Sequence, residues 1–216
     1  MGKSVILDYG LVLCRAPDPQ VIETLTNMFG FDAATFWILY ERNRGLYDRG
    51  ELTPEEYWRK FAQDAGITLK DGQIQWLREY DIRMWSDLEE PLLLWVDDLR
   101  KAGYKTAILS NINREFAAHL RANCRWIKRF DFQVLSAEIG RVKPEPEAFK
   151  HCLRLLGSFP DEALFVDDRE TNVDAARRQG IRSILYHSTN QLRNELRDAG
   201  FGVLPPDSKN GNARNA

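Results

Sequence analysis

Six polar residues stand directly after, or on the loop beside, short apolar runs of this chain. Asp8 closes Val5-Ile6-Leu7, Ser110-Asn111 closes Thr106-Ala107-Ile108-Leu109, and Asp167-Asp168 closes Ala163-Leu164-Phe165-Val166. Lys143 lies on Gly140-Arg141-Val142-Lys143-Pro144, ahead of a helix-like stretch. Three carboxylates brought together repel one another unless a cation joins them, and an all-oxygen ligand set with places left for water and phosphate suits Mg²⁺. With the metal held, an oxygen of Asp8 remains available to attack phosphorus, while Ser110 and Lys143 hold and neutralise the phosphoryl oxygens. The product of that attack is an aspartyl-phosphate, which water then cleaves.

These residues meet only if the runs they close are parallel neighbours. In an open parallel sheet, ligands gather beyond the carboxyl ends of the strands. The apolar runs, with Val134-Leu135 and Ser183-Ile184-Leu185-Tyr186, are rich in β-branched residues and alternate with helical stretches. Leu92, Leu93, Val96 and Leu99 form one helical stripe ending at Gly103, and Ala175-Ala176 belong to another ending at Gly180. The fold class expected is α/β, a Rossmann-like parallel sheet with helices on both faces, built from residues 1–14 and 89–204.

Residues 15–88 contain no comparable strand and four of the six tryptophans, Trp37, Trp58, Trp76 and Trp85. They read as a small all-α bundle inserted after strand 1, with helices over 19–29, 33–45, 54–65 and 71–85. Thr53-Pro54-Glu55-Glu56 carries a cap, a first-turn proline and a capping-box carboxylate, and Asp18 and Asp32 are further N-caps. Aromatics at helical spacing are expected to pack on one another. Arg42 and Arg44 are expected on a solvated helix face, with contact to an anionic substrate group as the other reading. The polar stretch 205–216 cannot bury enough apolar area to order itself and is expected to be a disordered tail.

Taken in order, Asp8-Tyr9-Gly10, Ser110-Asn111, Lys143-Pro144 and Asp167-Asp168 resemble the four motifs of the haloacid dehalogenase superfamily, over about residues 4–187, with 15–88 similar to that family's helical cap. The resemblance implies a magnesium-dependent phosphatase acting on a small phosphorylated metabolite, a sugar phosphate being one candidate. It implies Asp8, Ser110 and Lys143 as catalytic residues and Ser110, Asn111 and Lys143 as the phosphate site. The metal ligands implied are Asp8, the Gly10 backbone carbonyl and Asp168, with Asp167 reaching through a water. Asn172, one turn after Asp168, is a candidate for orienting metal-bound water or a plain helix-surface amide. Phosphatases of this type usually place a second aspartate where this chain has Gly10. That residue serves as general acid and base, a role worth about 10²–10⁴ in rate.

Two other readings stay open. A carbon–halogen hydrolase would use the same aspartate without a metal, but the acidic pair at 167–168 argues for phosphoryl chemistry. A non-catalytic phosphate-binding or regulatory protein would keep the fold and the pocket. A phospho-receiver domain is excluded by chain order and by the helical insertion.

Bulk properties narrow the partners. Among 216 residues, 30 basic and 32 acidic side chains give a net charge of −2, so no global field favours nucleic acid or an anionic membrane. No run approaches the roughly 18 apolar residues that span a bilayer, and Met1-Gly2-Lys3-Ser4 shows no leader pattern. Cys14, Cys124 and Cys152 are scattered, as in a reducing compartment, so a cytoplasmic location is expected. His119, His151 and His187 have neither zinc nor triad spacing. Oligomeric state is not readable.

Overall fold

The computed structural model describes residues 4–70 and 72–207. Five strands, β1 (Ser4–Leu7), β2 (Lys105–Ser110), β3 (Phe132–Leu135), β4 (Ala163–Asp167) and β5 (Arg182–Leu185), form one parallel sheet in the order β3-β2-β1-β4-β5. Leu7 stands opposite Ile108 on one side and Val166 on the other, so the three central strands end within a residue or two of one level. Chain order reverses at β1, and the crevice beyond β1 and β4 is where such sheets bind ligands.

Alternate strand residues feed two cores. Val5, Leu7, Ile108 and Val166 pack with α6 (Glu90–Lys101), α7 (Arg114–Asn123) and α11 (Thr189–Asp198). Ile6, Ala107, Leu109 and Phe165 face α9 (Pro146–Leu156) and α10 (Glu170–Arg178) on the opposite side. Both faces being covered explains why the strands read as continuous apolar runs. A short helix, α8 (Ser136–Ile139), follows β3.

Between β1 and α6 lie α1 (Pro19–Phe29), α2 (Ala33–Arg42), α3 (Arg44–Asp48), α4 (Pro54–Ala65) and α5 (Gln73–Met84). They enclose their own core of Phe36, Tyr40, Tyr47, Tyr57, Trp58, Phe61 and Leu77. The expected caps form: Asp18 accepts from Gln20 N, Asp32 from Thr35 N, and Thr53 and Glu56 make a reciprocal capping box. Trp58 is fully buried, whereas Trp37, Trp76 and Trp85 are only partly so.

The single helix expected over 33–45 is in fact two, α2 and α3, broken at Asn43. Asn43 has weak helix propensity, and its amide bonds the Asp64 carboxylate at 2.8 Å, outside the helix. The break turns Arg44 inward. Its side chain is 12% exposed, not solvated as expected, while Arg42 is half exposed beside Asp64.

The two strands of chain joining bundle to sheet are held together, with Arg15 N donating to Asp87 O at 2.8 Å and Glu89 N to Leu13 O at 2.9 Å. Of the stretch expected to be a loose tail, residues 205–207 are described. Pro205 is buried with its carbonyl accepting from Arg193, and Arg193 Nε lies 2.9 Å from Asp207. The guanidinium of α11 supplies the fixing that the polar composition lacks. Residues 208–216 lie outside the described residues. Among the described residues no helix is long and apolar enough to cross a membrane.

Thr53→Ala removes the cap oxygen of α4 and should lower stability by about 1 kcal/mol, read as a shifted urea midpoint with an unchanged slope.

Candidate active site

Asp8 follows β1, and its backbone N–H donates to Val166 O at 3.0 Å, fixing it against β4. Its carboxylate accepts from Tyr9 N at 2.6 Å and from Ser110, and lies 2.7 Å from Lys143 Nζ. Lys143 Nζ also donates to Asp167 Oδ2 at 2.6 Å. The lysine side chain is 1% exposed and the Asp167 side chain 0%. Burial works against the ammonium, but Asp167 and Asp8 outweigh it and hold Lys143 above the usual lysine range. Asp8 is pushed up, chiefly by burial and further by Asp167, against the pull of Lys143.

The lysine is placed by its neighbours. Asn111 Oδ1 accepts from Lys143 N at 2.7 Å, and Asn111 Nδ2 donates to Lys143 O at 2.9 Å. The Asn111 side chain expected at the phosphate is therefore committed to the lysine loop. Asp167 is fixed by Arg169 N at 2.8 Å and by Asn172 Nδ2 at 3.0 and 3.1 Å. Asn172 is neither a surface amide nor free to orient water: it is buried and its amide serves Asp167. The reason is helical geometry, since a residue in the first turn of α10 faces back toward the end of β4.

Asp168 differs from its neighbours. Among the described residues no donor bonds its carboxylate, and burial, then Asp8 and Asp167, push it up to about 7. Asp8, Asp167 and Asp168 each present an oxygen within 4.8 Å of the others. Residues expected to meet from positions 8, 110, 143, 167 and 168 are thus gathered at one place, with Gly10 beside them.

All but Asp167, which lies buried behind Lys143, border a cavity of about 230 Å³ between sheet and bundle. Its far wall comes from the bundle: Tyr40, Glu41, Arg44, Asp48 and Trp85. The sequence reading missed Glu41, Asp48 and Arg169 there. The Arg44/Asp48 spacing of i,i+4 was a signal for a pair, but not for its direction. Arg169 on the core reaches Glu41 at 3.1 Å across the gap, and Ser136 Oγ donates to Asp48 O at 2.5 Å.

A sequence model of haloacid dehalogenase-like hydrolases matches residues 13–180. The chain belongs to that family. Among curated relatives, the bifunctional epoxide hydrolase 2 of Mus musculus is 32% identical over 149 residues, which is 66% of this chain and 26% of that protein. The chain therefore spans about a quarter of that relative's length. The D-ribitol-5-phosphate phosphatase of Bacteroides thetaiotaomicron is 25% identical, over 91% of this chain and 97% of that one. A family enzyme from the same organism, solved with magnesium and inorganic phosphate, superposes with a TM-score of 0.69 at 26% identity, covering 87% of this chain and 95% of the other. The L-2-haloacid dehalogenase of Xanthobacter autotrophicus shares the fold, with a TM-score of 0.66 at 20% identity over 94% of this chain and 85% of that one.

The haloacid dehalogenase-like site depends on a buried ammonium shared by two acids. Asp167→Ala leaves Lys143 half-compensated and should cost about 3–5 kcal/mol of unfolding free energy in a urea titration, far more than removal of an exposed pair.

Proposed function

We propose that the protein is a magnesium-dependent phosphomonoesterase with Asp8 as nucleophile, acting on a small phosphorylated metabolite. One observation carries this reading: a half-buried Asp168 carboxylate, bonded by no donor among the described residues, placed beside Asp8 and the Lys143 ammonium on one cavity. A carboxylate in that position calls for a cation, and the donor set is all oxygen, as Mg²⁺ prefers. Asp8, Asp168 and the Gly10 carbonyl would hold the ion, with Asp167 behind them through water. Bound there, it would supply positive charge against the phosphoryl oxygens and lower the repulsion between the carboxylates.

The chain's own groups divide the remaining work. An oxygen of Asp8 forms a bond to phosphorus as the ester P–O bond breaks, and the leaving alkoxide takes a proton from water. Lys143 neutralises charge on the phosphoryl oxygens, and the Ser110 hydroxyl donates to them. Water then attacks phosphorus, the bond to Asp8 breaks, and inorganic phosphate leaves with Asp8 restored. Asp167, Asn172 and Asn111 touch no substrate in this scheme and serve to position Lys143. The magnesium and phosphate bound by the Bacteroides enzyme and the ester named for its ribitol-phosphate relative support the same reading.

Gly10 leaves the usual acid position empty, and a Cβ built there meets no atom within 4 Å. Gly10→Asp should therefore fold normally and raise kcat on alkyl phosphates, whose leaving groups need a proton, by about 10²-fold or more, with little gain on 4-nitrophenyl phosphate.

Asp8→Asn should abolish magnesium-dependent release of 4-nitrophenol from 4-nitrophenyl phosphate while the far-UV spectrum stays unchanged. Halide release from 2-chloropropionate, run beside it with EDTA, tests the carbon–halogen alternative, and positive release there would sink the phosphatase assignment.

Proton and metal compete for Asp168. Because its carboxyl is raised to about 7, it is protonated below that pH and ionised above it. Apparent Mg²⁺ affinity should fall by up to about tenfold per unit as pH drops below 7 and level off above it, in calorimetric titrations between pH 6 and 8. Asp168→Ala should lose both the affinity and its pH dependence.

A further inference from the structure

β2 and β3 run side by side until Ser110 pairs with Leu135, where their register ends. Beyond that pair the ladder stops but the chain stays buried, with Ile112 3% and Ser136 2% exposed. A buried N–H without an acceptor is costly. Ile112 N finds its acceptor in the Ser136 hydroxyl, at 2.8 Å, and Ala137 N donates back to Ile112 O at 3.3 Å. The first turn of α8 thus prolongs the pairing where the two backbones no longer do so alone.

The segment held in this way carries the phosphate end of the site. Ser110 bonds Asp8, and the Asn111 side chain takes both backbone groups of Lys143. Ser110 is fixed by the ladder and Ile112 by Ser136, so Asn111 sits between two anchors, one of which is a single hydroxyl. That hydroxyl's own proton goes to the bundle: Ser136 Oγ donates to Asp48 O at 2.5 Å, with Ile112 O farther off at 3.2 Å. Ile112 O already has Ala137 N. Asp48 closes α3, where helix carbonyls lack partners of their own, and among the described residues no other donor reaches its carbonyl. One buried oxygen therefore accepts from the phosphate segment and donates to the bundle.

We propose that Ser136 is a positioning residue for phosphoryl transfer: its hydroxyl holds the Ser110–Ile112 segment where Ser110 meets the phosphoryl group and Asn111 clamps Lys143, and it seats the bundle on that segment. The inference rests on the phosphomonoesterase reading for the work of Ser110 and Lys143, and assigns their placement to a residue that does not line the cavity. Placement matters steeply, since a shift of about 1 Å in a group that meets the transition state costs about 10²-fold in rate. The proposed metal ligands are placed independently, because Asp8, Gly10 and Asp168 follow β1 and β4, to which Ser136 makes no bond. Loss of the hydroxyl should therefore damage phosphoryl transfer and spare the ion.

The test compares kcat on 4-nitrophenyl phosphate at saturating Mg²⁺ with calorimetric Mg²⁺ affinity, both on folded protein well below its unfolding temperature. Ser136→Ala should lower kcat at least about tenfold while changing the Mg²⁺ dissociation constant less than about twofold. Ser136→Cys, close in size but a weak donor and acceptor, should fall between the alanine variant and the unsubstituted chain. Native-state hydrogen exchange reads the bond itself. The Ile112 amide should be protected like those of β2 in the unsubstituted chain, and should exchange at least about tenfold faster in Ser136→Ala with the β2 amides unchanged. A kcat within about twofold of the unsubstituted value, an equal loss of metal affinity, or an unprotected Ile112 amide overturns the proposal. A role in stability alone would shift the urea midpoint and leave kcat in place. If the alanine variant does not fold, Ser136→Cys decides, and if neither folds, Ile112 protection in the unsubstituted chain does. Absence of magnesium-dependent turnover by the unsubstituted chain sinks the phosphatase reading and leaves exchange to judge the placement. Normal turnover by Ser136→Ala sinks this inference alone.

Discussion

An ammonium with 1% exposure, 2.7 Å from one carboxylate and 2.6 Å from another, sets the terms for the rest of the molecule. Removing Lys143 from water is expensive, and only well-placed opposite charge with full hydrogen bonding makes it tolerable. Asp167 meets that demand because Arg169 N and Asn172 hold both of its oxygens, and Asn111 holds the lysine backbone from the other side. Three carboxylates around one ammonium leave two negative charges uncompensated in the cluster. A divalent cation balances them, and Asp168, bonded by no described donor, is the group left over to receive it. Asp8 and Asp168 are pushed upward chiefly by burial and further by the neighbouring carboxylates.

The sheet makes this crowding possible. β1 is central, β4 is its neighbour, and the backbone bond from Asp8 to Val166 locks their ends together. Beyond that switch point the two adjacent strands deliver Asp8, Asp167 and Asp168 to one crevice. Phe165, on the face opposite Val166, places its ring 5.5 Å from the Lys143 ammonium and packs edge-on against Phe149. The hydrophobic core of that face therefore supports the charged site from below, so that core packing and ion placement are one structural problem.

Much of this was legible in the chain. The strands read as buried runs because helices cover both faces, and the polar residue after each run was the right place to look for chemistry. The caps at Asp18, Asp32 and Thr53 were legible for the same local reason: a side-chain oxygen beside free backbone N–H groups. What was not legible depended on direction in space. Asn172 could be placed one turn after the acidic pair, but whether its amide faced water or Asp167 depends on how α10 sits on the sheet. Arg44 read as a solvated cation because an unbroken helix from 33 to 45 would have left it outside. The Asn43 break, stabilised by a bond to Asp64 on another helix, is a tertiary effect on a short segment, and it carried Asp48 into the cavity wall unnoticed.

The seam between bundle and sheet is built differently from either body. Its cross-links include Arg78–Glu115 at 2.6 Å, Arg169–Glu41 at 3.1 Å, Arg49–Glu145, and Arg114 Nε donating to Gly50 O at 3.3 Å. Partly exposed pairs of this kind contribute about 0–1 kcal/mol each. Hydrocarbon joins the two bodies at one end of the seam, where Ile82 and Trp85 pack against the core beneath α6 and α7 and Trp85 also packs against the bundle core. The paired linkers at Arg15–Asp87 and Leu13–Glu89 tie the two bodies together where the chain passes between them. Asp8, Ser110, Lys143 and Asp168 come to the cavity from the sheet and Tyr40, Glu41, Arg44 and Asp48 from the bundle, so the width of the cavity is set by how the seam contacts hold the two bodies, while the cluster around Lys143 is set by the sheet alone.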